Sequence, residues 1–250
     1  MIKLKNITYL RRFWLILMSS LVSMDFALAN EPTREFWPEV DLWLRLSPTW
    51  RFSMFLPTSK NFETNYREGN LILQVDYAWG KTHRPHLRRL LDENRAQQMK
   101  AKQVRGGYLA GRSLGDHGQV YNEDTAFFEL HVRTPFKGRV LVSHRLRADL
   151  RWLGDNPVFS YRWRYRLMVD KEFEAGRTSL VPYVSVEPYY NSRYEIVNRV
   201  RIIGGASVAW SPRCALEGNI TYQYDSKSSI TYLYALNVIM HVYFETGHAR

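Results

Sequence analysis

Cysteine is almost missing from this chain: Cys214 stands alone among 250 residues. A lone thiol closes no internal disulfide and builds no cysteine-based metal centre, so stability has to come from packing and backbone pairing. Also missing is any apolar run of the ~20 residues that a membrane-spanning helix requires. The nearest approach, Phe13 to Met18 with a weak continuation through Leu21 and Val22, is broken by Ser19, Ser20, Ser23 and Asp25. Membrane insertion, if it occurs, must therefore use strands. Acidic residues are the minority charge: 24 Asp and Glu stand against 35 Lys and Arg, a formal net charge of +11.

What the N-terminus does have is the layout of an export signal. Lys3, Lys5, Arg11 and Arg12 precede the short apolar run, and Ala27-Leu28-Ala29 offers small residues where a signal peptidase reads. Residues 1–29 are expected to be a cleaved signal peptide and residues 30–250 a single domain. Cleavage would leave a charge of about +8 by simple bookkeeping. An exported chain of this kind does not meet nucleic acid.

The most informative stretch runs from residue 138 to 170. Val140, Val142, His144, Leu146, Ala148, Leu150 and Trp152 alternate with Arg139, Leu141, Ser143, Arg145, Arg147, Asp149 and Arg151. After Gly154-Asp155-Asn156-Pro157 the alternation returns, with Phe159, Tyr161, Trp163, Tyr165, Leu167 and Val169 set against Ser160, Arg162, Arg164, Arg166 and Asp170. A period of two with turn residues between the runs predicts a long hairpin, one face apolar and aromatic, the other rich in arginine. Similar alternation recurs along the chain, giving eleven readable strands between Val40 and Phe244. Since bacterial barrels of this type have even strand numbers, twelve strands are expected, with ten as the next choice. The expected fold is an all-β, transmembrane, antiparallel up-and-down β-barrel. A soluble β-sandwich is the alternative, but it does not explain aromatic residues gathered towards strand ends, where membrane proteins place interfacial belts. Trp43, Trp79, Trp152, Trp163 and Trp210 are the expected belt residues. Residues 80–101, with His83, Arg84, His86, Arg88 and Arg89, form a basic, helix-compatible insertion suited to anionic groups.

An ordered set of segments carries a resemblance to a known family. Trp37 and Trp43 in the opening strand, Ser47-Pro48-Thr49-Trp50, His144-Arg145-Leu146-Arg147, Tyr161 to Arg166, Pro182 to Tyr189 and Asn198-Arg199-Val200-Arg201 resemble domain of unknown function 2490. The resemblance covers nearly all of residues 30–250. It implies an outer-membrane β-barrel of a Gram-negative bacterium, without assigned activity. It also implies outer-membrane lipid and lipopolysaccharide as surroundings, with the barrel assembly machinery and periplasmic chaperones as partners in biogenesis. No cofactor, metal or catalytic residue is expected.

If the apolar face meets lipid, the other face lines the lumen. The expected lumen-lining residues are Arg133, Arg145, Arg147, Arg151, Arg162, Arg164, Arg166, Glu187, Arg199 and Arg201, with Arg45 on the same phase. Unpaired guanidinium groups in a narrow interior would each cost several kcal/mol in desolvation, so they must be hydrated or paired. Asp76, Glu129, Asp149, Asp170, Glu187 and Glu217 share that phase. Two readings follow: a structural salt-bridge lattice, or a narrow anion-favouring solute channel. The alternative is a lipid-modifying or hydrolytic enzyme. Its candidates are weak: Ser143 and His144 are neighbours on one strand and face opposite ways. Asp116-His117 sits between glycines, and His83 and His86 have arginine neighbours.

Overall fold

A computed structural model describes residues 32–64, 66–81, 100–114, 122–155, 158–175, 178–211 and 213–246. The expected signal peptide, most of the 80–101 insertion with its two histidines, Asp116, His117 and the side chain of Trp210 lie outside the described residues.

Alternating sequence becomes strand throughout. The elements are β1 (Thr33–Arg45), β2 (Trp50–Asn61), β3 (Arg67–Lys81), β4 (Lys100–Ser113), β5 (Asn122–Phe136), β6 (Val140–Leu153), β7 (Val158–Lys171), β8 (Phe173–Ala175), β9 (Thr178–Asn191), β10 (Ile196–Ser211), β11 (Cys214–Asp225) and β12 (Tyr232–Glu245). Each pairs with its neighbours in a single closed sheet. The short β8 carries β7 onward past Glu172 in the same register against β9: Asp170 faces Tyr183 and Phe173 faces Leu180. Among the described residues the twelve segments therefore make eleven barrel strands, not the twelve expected.

The odd count dictates how the barrel closes. In an up-and-down meander with an odd number of strands the first and last run in the same direction, and β1 pairs with β12 in parallel, Thr33 to Leu233 through Arg45 to Glu245. The expectation of a wholly antiparallel sheet thus fails at this one seam. The even-number rule describes bacterial barrels as a group, and no local sequence signal reports how the two edge strands meet. The turn from β5 to β6 passes through Gly138 at φ 78° and Arg139 at φ 62°, so the glycine supplies a left-handed conformation that side chains resist.

The distribution of side chains is inverted relative to a protein folded in water. Val184, Phe128 and Leu236 are 54%, 56% and 48% exposed, whereas Glu129, Asp149 and Glu187 are 0% exposed. Apolar side chains thus cover the outside of the cylinder and polar ones fill it. Gly107 on β4 marks where that filling is tightest. A Cβ there would collide with the ring of Phe127 and come within 2.7 Å of the Leu73 carbonyl oxygen. The missing side chain lets Phe127 lie flat on the inner wall, where the Arg147 guanidinium stacks on it at 3.9 Å.

Candidate functional site

The hairpin of β6 and β7 creates an electrostatic problem that its neighbours solve. Its register sets Arg145 opposite Arg166 and Arg147 opposite Arg164, like charges directly across a strand pair. Such pairs are destabilising unless counter-charge reaches them from elsewhere. On one side β5 brings Glu129 opposite Arg147, and β9 on the other brings Glu187 into contact with β7.

Around these two carboxylates a continuous lattice forms. Arg51 on β2 donates to Asp76 on β3 at 2.8 Å, and Arg105 on β4 reaches Asp76 at 2.5 Å and Glu129 at 3.0 Å. Glu129 also accepts from Arg147 at 2.9 Å. Asp149 accepts from Arg147 and, at 2.7 Å, from Arg162. Glu187 binds Arg145 at 2.5 Å, Arg164 at 3.0 Å and Arg166 at 2.9 Å. Arg151 grips Glu123 through two bonds of 2.9 Å, Arg199 meets Asp225 at 2.7 Å, and Arg133 donates to the Gln103 side-chain oxygen at 2.8 Å. Tyr189, 1% exposed, fills the centre of the arginine side, with Arg164, Arg201, Arg162 and Arg199 between 4.6 and 5.7 Å from its ring centre. Paired, hydrogen-bonded charges satisfy the condition under which ions tolerate burial.

The far wall, from β11 through β12 to β1, differs in kind. Asn237 donates to Asn219 and Thr221, Tyr183 donates to Glu217, and His241 stands between Asp41 at 3.1 Å and Glu217 at 3.4 Å. Between the two walls lies a cavity of about 400 Å³. Arg145, Arg147, Arg164, Arg166 and Arg201 border it on one side, and Glu39, Glu68, Asn70 and Asn237 on the other. Among the described residues, no group of three or more His, Cys, Asp or Glu side chains is arranged to hold a metal ion.

Of the ten residues expected to line a lumen, Arg145, Arg147, Arg162, Arg164, Arg166 and Glu187 share one ion-paired cluster, Arg133, Arg151 and Arg199 form separate pairs with Gln103, Glu123 and Asp225, and Arg201 lies over the Tyr189 ring. Sequence reasoning missed Arg51 and Arg105 as members, and Glu123 and Asp225 as partners. Arg105 lies where glycines blur the alternation, and its signal was its parity with Gln103 and Gly107. The belt residues divide. Trp152 and Trp163 stand on the outer surface, 36% and 46% exposed, and Trp79 stacks on Tyr77 at 5.7 Å. Trp43 does not belong with them. It shares strand parity with Asp41 and Arg45, so it turns inward, stacking on Tyr243 at 6.1 Å under the Arg51 guanidinium at 4.4 Å. Tyr189 shares the parity of Glu187 and for the same reason is the buried ring of the arginine cluster. His144 bonds the Tyr165 hydroxyl at 2.7 Å on the outer surface, away from Ser143.

An eleven-stranded barrel with an apolar exterior and an ion-paired interior is the class of protein that this architecture defines. Within that class the chain belongs to the family of proteins of unknown function designated DUF2490, whose profile matches residues 35–233. Compared with individually curated proteins, the sequence matches none.

Proposed function

We propose that the protein is an outer-membrane β-barrel, exported by a cleaved signal peptide, whose lumen is constricted by its own salt-bridge lattice to a narrow path for small solutes, with anions favoured. The observation that carries this reading is the inversion of the two faces: exposed aliphatic side chains outside, fully buried carboxylates and arginines inside. A monomer in water rarely leaves so large an apolar surface uncovered. Aromatic clusters near the strand ends support the same reading. Trp50 and Tyr77 meet at 4.9 Å near one rim, and Trp152 with Phe159 at 5.7 Å and Tyr222 with Tyr234 at 5.2 Å lie towards the other. Such rings suit the two headgroup layers of a bilayer. Lipopolysaccharide would then be the lipid around one rim, and the barrel assembly machinery and periplasmic chaperones the partners in biogenesis.

Constriction follows from the lattice, because side chains cross-linked over seven neighbouring strands, β2 to β7 and β9, leave little open section. Anion preference follows from an excess of guanidinium groups around the cavity. The test is single-channel recording of refolded residues 30–250 in a planar bilayer under a salt gradient. Small conductance steps with an anion-biased reversal potential are expected. Large, porin-sized steps would refute constriction, and cation selectivity would refute the arginine-lined path.

A further inference from the structure

The lattice does not neutralise every charge at the cavity, and the remainder are sorted by side. Arg201 on β10 donates its Nε to Gln223 at 2.6 Å and lies over the rings of Trp37 and Tyr189 at 5.2 and 5.3 Å. Among the described residues no carboxylate comes within ion-pair distance of it. Among the described residues its two terminal amino groups, the strongest part of the fork for binding a carboxylate, make no hydrogen bond, and Glu187 acts on the guanidinium only at longer range. Glu39 on β1 and Glu68 on β3 are its counterparts. Glu39 and Asp41 hold their carboxyl groups within hydrogen-bond reach, an arrangement in which the pair shares a proton, and Glu68 accepts a bond from the Tyr66 hydroxyl at 2.9 Å. Neither has an arginine or lysine at ion-pair distance among the described residues. All three border the same cavity, with Ile203 and Ile239 from β10 and β12 as apolar wall between them.

We propose that this cavity is a binding site for a small zwitterionic solute, its carboxylate taken by Arg201 and its ammonium group by Glu39 and Glu68. A free anion satisfies Arg201 and leaves the Glu68 carboxylate and the Glu39–Asp41 pair without a cation, while a free cation does the reverse. A molecule with both charges answers both walls, and partial burial strengthens each contact relative to water. The volume lies at the low end of that usual for small-molecule sites, which suits an amino-acid-sized solute. The inference rests on the reading of a narrow path through the lumen, since that is how a solute would reach the site.

The test is equilibrium dialysis of the refolded full-length mature protein in detergent micelles against ω-amino acids from glycine to 5-aminopentanoate, with pentanoate and pentylammonium as single-charge controls. The best ω-amino acid is expected to bind at least about tenfold more tightly than either control, as two charge-assisted contacts imply against one. Arg201→Gln should abolish the advantage over pentylammonium, and Glu39→Gln with Glu68→Gln the advantage over pentanoate. Equal binding of all probes by the unmodified protein, or binding of none, overturns the proposal and needs no variant to fold. Insertion into lipid vesicles, measured on the same preparation, separates the outcomes. An inserted barrel without zwitterion preference refutes this site alone, whereas failure to insert refutes the membrane reading.

Discussion

Glu187→Gln is expected to destabilise the barrel by about 3–5 kcal/mol, the range for removing one partner from a buried charge network. The substitution preserves shape and volume, so the loss is electrostatic. Glu187 is 0% exposed and is the shared acceptor of Arg145, Arg164 and Arg166. A glutamine keeps one oxygen but turns an amide N–H₂ towards guanidinium groups, leaving a buried cluster of positive charge whose strands already oppose Arg145 to Arg166. The measurement is the urea midpoint of the protein refolded in lipid, with loss of the compact band on unheated gels as a second readout. Adding Arg166→Met to the Glu187→Gln protein should recover part of the loss, because it removes one uncompensated charge. An unchanged midpoint in the single variant would mean that the lattice contributes nothing to stability. Because these pairs are buried, raising the salt concentration should alter the midpoint little.

Val184→Arg is the second large effect, and it separates membrane from water. Val184 lies near the middle of β9 on the outer face and is 54% exposed. On the lipid-facing side of a barrel an arginine at the bilayer midplane costs about 2–4 kcal/mol. At an exposed position of a protein in water the same change falls within about 0.5 kcal/mol. Folding free energy in lipid vesicles, with Val184→Leu as the size control, should show the larger loss for arginine alone. A loss within about 0.5 kcal/mol for both variants would contradict a lipid-facing exterior.

Part of the fold is legible in the residues themselves. The hairpin of β6 and β7 reads directly, since two alternating runs with arginines in one phase admit few other arrangements. The family resemblance points to the same fold from separate segments. The pairing of particular arginines with particular carboxylates is not legible: Arg145 and Glu187 are 42 residues apart, and only the registers of β6, β7 and β9 bring them together. Arg105 escapes notice because Gly106 and Gly107 interrupt the pattern, and the inner space at Gly107 is filled by Phe127 from the next strand. Trp43 is instructive in another way. Its parity with Asp41 and Arg45 places it inside, whereas the general preference of tryptophan for interfaces places it outside, and the parity prevails because a one-residue shift would turn every side chain of β1 over. The strand count reads as eleven along the sequence, and the even-number rule, not the residues, argues for twelve.

The central claim is that one face of each strand meets lipid and the other a polar interior. Ile202 and Ile203, adjacent on β10, test it within one peptide unit. Ile202 is 48% exposed and Ile203, 8% exposed, borders the cavity. In a Cys214→Ser background, single cysteines at each position would be labelled with a bimane fluorophore and the proteins refolded in vesicles whose acyl chains carry nitroxide quenchers. The account predicts strong quenching of the label at position 202 and little at 203. Equal quenching at both positions, or quenching at neither with both reached by aqueous iodide, would contradict it.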